Sequence, residues 1–151
     1  MFTEILDTRI EIHAPASTVW QALTNFAQYP RWNPLLRGTQ GEPRVGEHLR
    51  MHIESPSGRI TDMGSVVQQA DPNKRLAWMG TIYHPLIFSG LHSFTIEREL
   101  PDGGVLFAQH EIYTGLSIPF IRRMLQTDTL KGFHLLNEAL KVEAERLAAA
   151  P

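Results

Sequence analysis

The sequence contains no cysteine, which excludes a disulfide framework, thiolate metal sites and a cysteine nucleophile. It also lacks a strong charge of either sign, because 14 Lys and Arg residues against 16 Asp and Glu residues leave a formal net charge of −2. Nucleic-acid-binding proteins rely on clustered basic residues that neutralise phosphates. We therefore expect no nucleic-acid partner.

Long apolar runs are missing as well. No stretch approaches the roughly 18–20 apolar residues that span a bilayer. The first residues, up to Asp7, carry acids where a signal peptide has basic residues before an apolar run. These absences predict a cytoplasmic protein without membrane insertion. The length of 151 residues fits a single domain, 1–151, around one core.

The N-terminal part of the chain reads as a strand followed by short helices. Alternation over 3–13 predicts a strand, and Val19, Leu23 and Phe26 are spaced as on one face of a helix. Two prolines within 29–34 then impose a turn or a very short helix.

The remaining chain predicts a sheet and a long helix. Short apolar or alternating runs recur between clusters of turn residues, which is typical of a meandering antiparallel sheet. A helical repeat without proline then predicts one long helix from Pro119 to about Ala149. The candidate strands are 35–41, 46–54, 59–70, 74–83, 90–100 and 105–115.

This order of elements predicts an α+β fold. A curved antiparallel sheet of about seven strands would pack against one long C-terminal helix, with short helices after the first strand. A sheet curved around a single helix leaves space between them unless its side chains are large. The architecture therefore predicts an internal cavity.

Several short stretches also carry a family resemblance, which covers nearly the whole chain. They are 12–15 with 19–20, 29–34, 75–78, 90–94, 107–111 leading to 115–116, and 132–133 with 137–141. In this order they resemble the SRPBCC superfamily, the helix-grip proteins that include START domains, the birch pollen allergen and polyketide cyclases. The most similar members are small bacterial proteins of the polyketide cyclase/dehydrase type. The resemblance implies a pocket for a hydrophobic ligand, but members range from carriers to cyclases.

Strand pairing decides which polar side chains face this pocket. If 101–104 form a four-residue loop, His92 lies opposite Tyr113 and Phe94 lies opposite Glu111. His92 and Glu111 are then diagonal neighbours on the inner face. The resemblance favours this register, because it places Glu111 at a recurrent polar position of the family.

A slip of one residue gives the alternative. It would bring Leu106, His110 and Ile112 to the inner face instead, and the apolar pattern by itself slightly favours it.

Two polar residues of the favoured register are candidates for chemistry. His92 and Glu111 could transfer protons, orient a ligand, or only satisfy each other's hydrogen bonds in a buried sheet. The candidate ligand-binding residues, several of which also fit plain core packing, are Trp32, Met51, Trp78, Phe94, Phe107, Gln109, Tyr113, Ile121, Leu125 and Phe133.

A metal site is not expected. His48 and His52 have the spacing of metal ligands on a helix, but their segment reads as a strand, where four residues span about 13 Å. One ion cannot bind both side chains over that length. We predict neither a metal nor another cofactor.

Three functions are compatible with these observations. The first is a carrier or sensor that holds a lipid-like or aromatic, polyketide-like molecule in the cavity. The second is a cofactor-independent cyclase, aromatase or dehydratase in which His92 and Glu111 move protons. The third is a protein-interaction domain similar to the helix-grip modules of co-chaperones. The partner expected is a hydrophobic small molecule, and a homodimer is left open.

Overall fold

The computed structural model describes residues 2–150. Its elements in chain order are β1 (Thr3–Ile12), α1 (Ala16–Thr24), a 3₁₀ turn (Phe26–Gln28), α2 (Tyr29–Trp32), β2 (Leu36–Gln40), β3 (His48–Glu54), β4 (Ile60–Asp71), β5 (Arg75–Thr81), β6 (Ser89–Glu99), β7 (Val105–Thr114), α3 (Ile118–Met124), a π turn (Leu125–Thr129) and α4 (Leu130–Ala149).

The strands form one seven-stranded antiparallel sheet in the order β1-β7-β6-β5-β4-β3-β2. From β2 to β7, each strand pairs with the next one along the chain. Strand β1 is the edge strand beside β7, at the opposite edge of the sheet from β2. Helix α4 packs against α1 and β1. This arrangement confirms the α+β helix-grip prediction, including the short helices that follow the first strand.

Burial follows the alternation of each strand. On β1 the side chains of Leu6, Thr8 and Ile12 are buried, whereas Asp7 and Arg9 are exposed. The inner faces of the strands and the apolar stripes of α1 and α4 form one hydrophobic core. Within residues 2–150, no helix is both long and apolar enough to cross a membrane.

The long C-terminal helix contains a π turn that the sequence did not predict. Ile121, Leu125, Thr129 and Phe133 follow one another at four-residue steps, which drift around a helix of 3.6 residues per turn. The π turn at Leu125–Thr129 holds more residues per turn and offsets this drift. All four side chains therefore face the sheet side of the helix, where they line a cavity.

The predicted register of β6 and β7 is wrong by two residues. His92 pairs with Glu111, and Phe94 pairs with Gln109. Two local features add up to this shift: the connecting loop begins one residue earlier than expected, and Glu97 forms a β-bulge. Because side chains alternate with a period of two, a shift of two leaves every predicted face unchanged.

Candidate functional site

A cavity of about 320 Å³ lies between the inner face of the sheet and the first half of the C-terminal helix. Its volume is at the lower end of the range for small-molecule sites. Most of its lining is apolar and comes from strands β2 to β7, from the residue before β2, from the loop after β5, and from the helix. The apolar and aromatic lining residues are Leu35, Leu36, Met51, Ile53, Met63, Trp78, Ile82, Tyr83, Ile87, Phe88, Tyr113, Ile121, Met124, Leu125 and Phe133.

Two glycines, Gly80 and Gly90, lie at the floor of the cavity. Ser65, Gly80, Gly90 and Tyr113 form one row across four neighbouring strands. A Cβ atom at Gly80 would meet Met63 Cε and Ser65 Oγ, and one at Gly90 would lie 3.2 Å from Oε2 of Glu111. The absence of side chains at these positions therefore makes room for polar groups at the cavity floor.

His92 and Glu111 form the central polar pair of this floor. Nδ1 of His92 lies 3.1 Å from Oε1 of Glu111, and the side chains are only 6% and 11% exposed. Both residues line the cavity. A buried imidazole and carboxyl in contact can hold, give or take a proton, which is the arrangement that acid–base chemistry requires.

The hydroxyl groups of Ser65 and Tyr113 add two further polar groups. The Ser65 hydroxyl is buried and has no hydrogen-bond partner among the described residues. Burial, and then the adjacent charge of Glu111, hold the pKa of Tyr113 well above its ordinary value of 10. The Tyr113 hydroxyl is therefore protonated at neutral pH and can donate a hydrogen bond at the cavity floor, where the Glu111 carboxyl is adjacent.

Aromatic contacts fix the His92 ring. Phe133 stacks on it at 4.8 Å between ring centroids, Phe94 stacks at 4.4 Å, and Trp78 meets it edge-on at 5.6 Å. A ring held in this way cannot rotate without displacing its neighbours.

The structure brings most of the predicted site residues to the cavity. Its lining includes His92, Glu111, Met51, Trp78, Tyr113, Ile121, Leu125 and Phe133. Phe94 and Phe107 lie outside this lining, buried in the core. Gln109 is fully buried and hydrogen-bonds to His92 instead of facing the cavity.

Trp32 also lies away from the cavity. It lines a separate hollow beside Glu143, whose carboxyl pairs with Arg31 and Arg146. Hydrogen bonds from Arg146, followed by those from Arg31, lower the pKa of Glu143. We attribute this hollow to the packing of α1 and α2 against α4.

Sequence reasoning did not identify several residues of the site. Ser65 and Gly90 lie on predicted strands, but only strand order and register place them at the floor of the cavity. Asn137 is a polar residue on the buried face of α4, where the sequence predicts an apolar stripe. A polar residue within that stripe was a signal that could have been used.

Asp128, in the π turn, is bonded to Arg59, a residue of the cavity lining. Its carboxyl accepts hydrogen bonds from the backbone N–H of Ser57 at 2.9 Å, from the Ser57 hydroxyl at 2.6 Å and from Arg59 at 3.1 Å. These bonds join the turn between β3 and β4 to the helix.

Exposed apolar side chains border the cavity at the loop after β5. Tyr83 is 97% exposed and Ile87 is 37% exposed, and both line the cavity. Leu86 and Leu116 are exposed nearby, where the Leu116 amide donates to the Leu86 carbonyl. These exposed side chains form an apolar rim at the cavity.

The curved sheet, the long helix that it holds and the cavity between them define a helix-grip protein of the SRPBCC class. Residues 4–140 match the family described as polyketide cyclase / dehydrase and lipid transport. The chain belongs to this family. Comparison with curated proteins gave no match.

Solved structures show the same fold at low sequence identity. The ZhuI aromatase/cyclase from Streptomyces sp. R1128 superposes with a TM-score of 0.80 at 18% identity, covering 99% of this chain and 98% of that one. A START superfamily protein from Mycobacterium smegmatis has a TM-score of 0.72 at 22% identity, covering 95% and 98%.

A third similar structure is longer than this chain. The di-domain aromatase/cyclase BexL from the BE-7585A biosynthetic pathway has a TM-score of 0.74 at 18% identity. The match covers 99% of this chain but 51% of BexL, so this chain spans about half of that protein.

Proposed function

We propose that the protein binds a hydrophobic small molecule in the cavity between the sheet and the C-terminal helix, as a carrier or sensor. The observation that carries this proposal is the apolar lining of the 320 Å³ cavity. A well-packed core leaves few voids larger than a water molecule. Space of this size beside an apolar rim is suited to a ligand.

The floor of the cavity favours a ligand that carries oxygen atoms. The unpartnered Ser65 hydroxyl can donate a hydrogen bond to a carbonyl or accept one from a hydroxyl. The Tyr113 hydroxyl and the His92–Glu111 pair offer further partners. The ligand class that fits best is an apolar or aromatic molecule with carbonyl or hydroxyl groups at one end, as in a polyketide.

The first test is ligand capture. Native mass spectrometry of the purified protein and displacement of the apolar dye 1-anilinonaphthalene-8-sulfonate would detect an occupant. A ligand present at a hundred times its Kd stabilises the folded state by about 2.7 kcal/mol. In a chain of this size this raises Tm by roughly 5–10 °C. A protein that neither retains a ligand nor binds the dye contradicts the proposal.

The second candidate function is an enzyme of the cyclase or dehydratase type. The specific observation in its favour is that His92 and Glu111 lie in contact at the cavity floor. In this function one of them removes a proton from the substrate while the other returns a proton during ring closure or loss of water. If His92→Ala and Glu111→Gln both left turnover unchanged, this mechanism would be wrong.

A further inference from the structure

Behind the cavity floor, a chain of buried hydrogen bonds runs from His92 to β1. Nε2 of His92 lies 3.0 Å from Oε1 of Gln109. Nε2 of Gln109 lies 2.7 Å from Oδ1 of Asn137, and Nδ2 of Asn137 lies 2.9 Å from the Thr8 hydroxyl. All four side chains are buried, and Gln109, Asn137 and Thr8 do not line the cavity.

Two backbone carbonyls fix the direction of this chain. The Thr8 hydroxyl donates to the carbonyl of Gln109 at 3.1 Å, which uses its single hydrogen. Asn137 must therefore donate to Thr8 through its amide nitrogen, and its oxygen faces Gln109. The amide nitrogen of Gln109 also donates to the carbonyl of Phe133 at 3.1 Å. Reversing either amide would bring two acceptors together.

This direction determines which ring nitrogen of His92 carries hydrogen. The Gln109 oxygen can only accept, so the Nε2 atom that faces it must be the donor. Stacking of the ring between Phe94 and Phe133 prevents a flip that would exchange the two nitrogens. Nδ1 is then the nitrogen that faces Glu111.

We propose that Gln109 is a positioning residue: held by Asn137 and Thr8, it keeps His92 in the form with hydrogen on Nε2, so that His92 and Glu111 share one proton between Nδ1 and Oε1. The pair is either a neutral imidazole with a carboxylic acid or an imidazolium with a carboxylate. Both forms contain the same atoms and the same total charge. Moving the proton between the two atoms changes only which group can act as acid.

This inference rests on the second candidate function for its use, because a pair that shares one proton at the cavity floor can pass it to a bound carbonyl and recover it. Gln109 itself does not line the cavity. Its effect reaches the cavity through the protonation form and orientation of His92.

The test determines which ring nitrogen of His92 carries hydrogen in the ligand-free protein. Long-range proton–nitrogen correlation NMR of ¹⁵N-labelled protein distinguishes the two ring nitrogens of each histidine. We expect His92 to carry hydrogen on Nε2 in essentially all molecules. His48, which is exposed on the outer face of β3, provides the solvent-facing reference. A wild-type His92 with a bare Nε2 overturns the inference.

Variants separate positioning from simple stability. Gln109→Leu removes the acceptor, and His92 should then populate both neutral forms. Gln109→Glu keeps an acceptor opposite Nε2, but its second oxygen faces the acceptor oxygens of Asn137 and Phe133 and must carry a proton there. Where this variant folds, it should preserve the single form. Gln68→Leu, the same change at an exposed position of β4, is the matched control. If Gln109→Leu leaves the His92 signals unchanged in a folded protein, Gln109 does not position the ring. If that variant does not fold, the wild-type spectrum decides the question.

The experiments distinguish failure of the ligand-binding proposal from failure of the inference about Gln109. A protein that binds no dye but shows hydrogen on Nε2 of His92 retains this inference and loses the ligand-binding proposal. A protein that binds the dye but has no hydrogen on Nε2 of His92 retains the ligand-binding proposal and loses this inference.

Discussion

His92 and Glu111 lie directly opposite each other on β6 and β7, with Nδ1 and Oε1 3.1 Å apart. The alternation of both strands turns the pair toward the cavity, and Gly90, the diagonal neighbour of Glu111 on β6, carries no side chain that would cover the carboxyl. A polar pair within a mainly apolar cavity is the arrangement on which both candidate functions depend.

The first prediction concerns Gly90. Replacing a strand glycine by alanine ordinarily gains about 0.5–1 kcal/mol. At Gly90 the new methyl group would lie 3.2 Å from Oε2 and 3.3 Å from Cδ of Glu111. Gly90→Ala should therefore lose about 1 kcal/mol, measured by urea unfolding, because Glu111 must move.

Gly64→Ala is the matched control for this prediction. Gly64 lies on the outer face of β4, where the nearest atom to a new Cβ is the Leu49 carbonyl oxygen at 3.8 Å. This variant should be at least as stable as wild type. Equal gains in both variants would mean that Gly90 leaves more room than we infer.

The second prediction concerns the buried amide of Gln109. Gln109→Leu leaves Nε2 of His92 and Oδ1 of Asn137 without partners. Unsatisfied buried groups cost about 1–3 kcal/mol each, so for two groups the free energy of unfolding should fall by roughly 2–6 kcal/mol. Gln68→Leu on the exposed face should change it by less than about 0.5 kcal/mol. A similar small loss in both variants would contradict the role of the buried network.

The third prediction is a pH dependence of stability that arises from Asp128. Hydrogen bonds from Ser57, together with the charge of Arg59, lower the pKa of Asp128 below its ordinary value of 3.8. A lowered folded-state pKa stabilises the protein above the unfolded pKa, and this contribution is lost as the pH falls through the folded pKa.

Asp128→Asn tests this dependence. Its urea midpoint should lie below that of wild type by a constant amount between about pH 5 and 7, and the gap should narrow as the pH falls from about 4 through the folded-state pKa of Asp128. Asp62→Asn, at a carboxylate that is 74% exposed, should show a smaller gap. A gap for Asp128→Asn that is the same at pH 3 and pH 7 would exclude the ionised carboxylate as its cause.

The fourth prediction concerns a substitution on the helix that fills the cavity. Thr129 lines the cavity, whereas Thr127, in the same π turn, is exposed. Thr129→Phe should weaken binding of 1-anilinonaphthalene-8-sulfonate at least tenfold, because the phenyl ring occupies the ligand's space. Thr127→Phe should leave the affinity within twofold. Equal affinities in the two variants would place the dye outside the cavity.

The fold was accessible from the sequence because period-two and helical patterns are strong along most of this chain. The strand faces were also predictable, although the register of β6 and β7 was not. The alternating pattern is unaffected by a shift of two residues, and neither the bulge at Glu97 nor the longer loop has a distinctive signature here.

The site was less accessible, for reasons that particular residues show. Gln109 lies on the predicted inner face, but alternation does not reveal that its amide contacts Asn137 on the helix and not the cavity. Ser65 and Gly90 gain their roles only from partners on other strands. The π turn that aligns Ile121 with Phe133 depends on packing that no local pattern of residues encodes.

Methionine methyl NMR tests the central claim most directly, because methionines lie on both sides of the cavity wall. Met51, Met63 and Met124 line the cavity, whereas Met79 lies on the outer face of β5 and does not. On titration with 1-anilinonaphthalene-8-sulfonate, we predict saturable shifts of the three cavity methyl groups and an unchanged Met79. Shifts confined to Met79, or bound dye that leaves all three cavity methyl groups unmoved, would contradict the account.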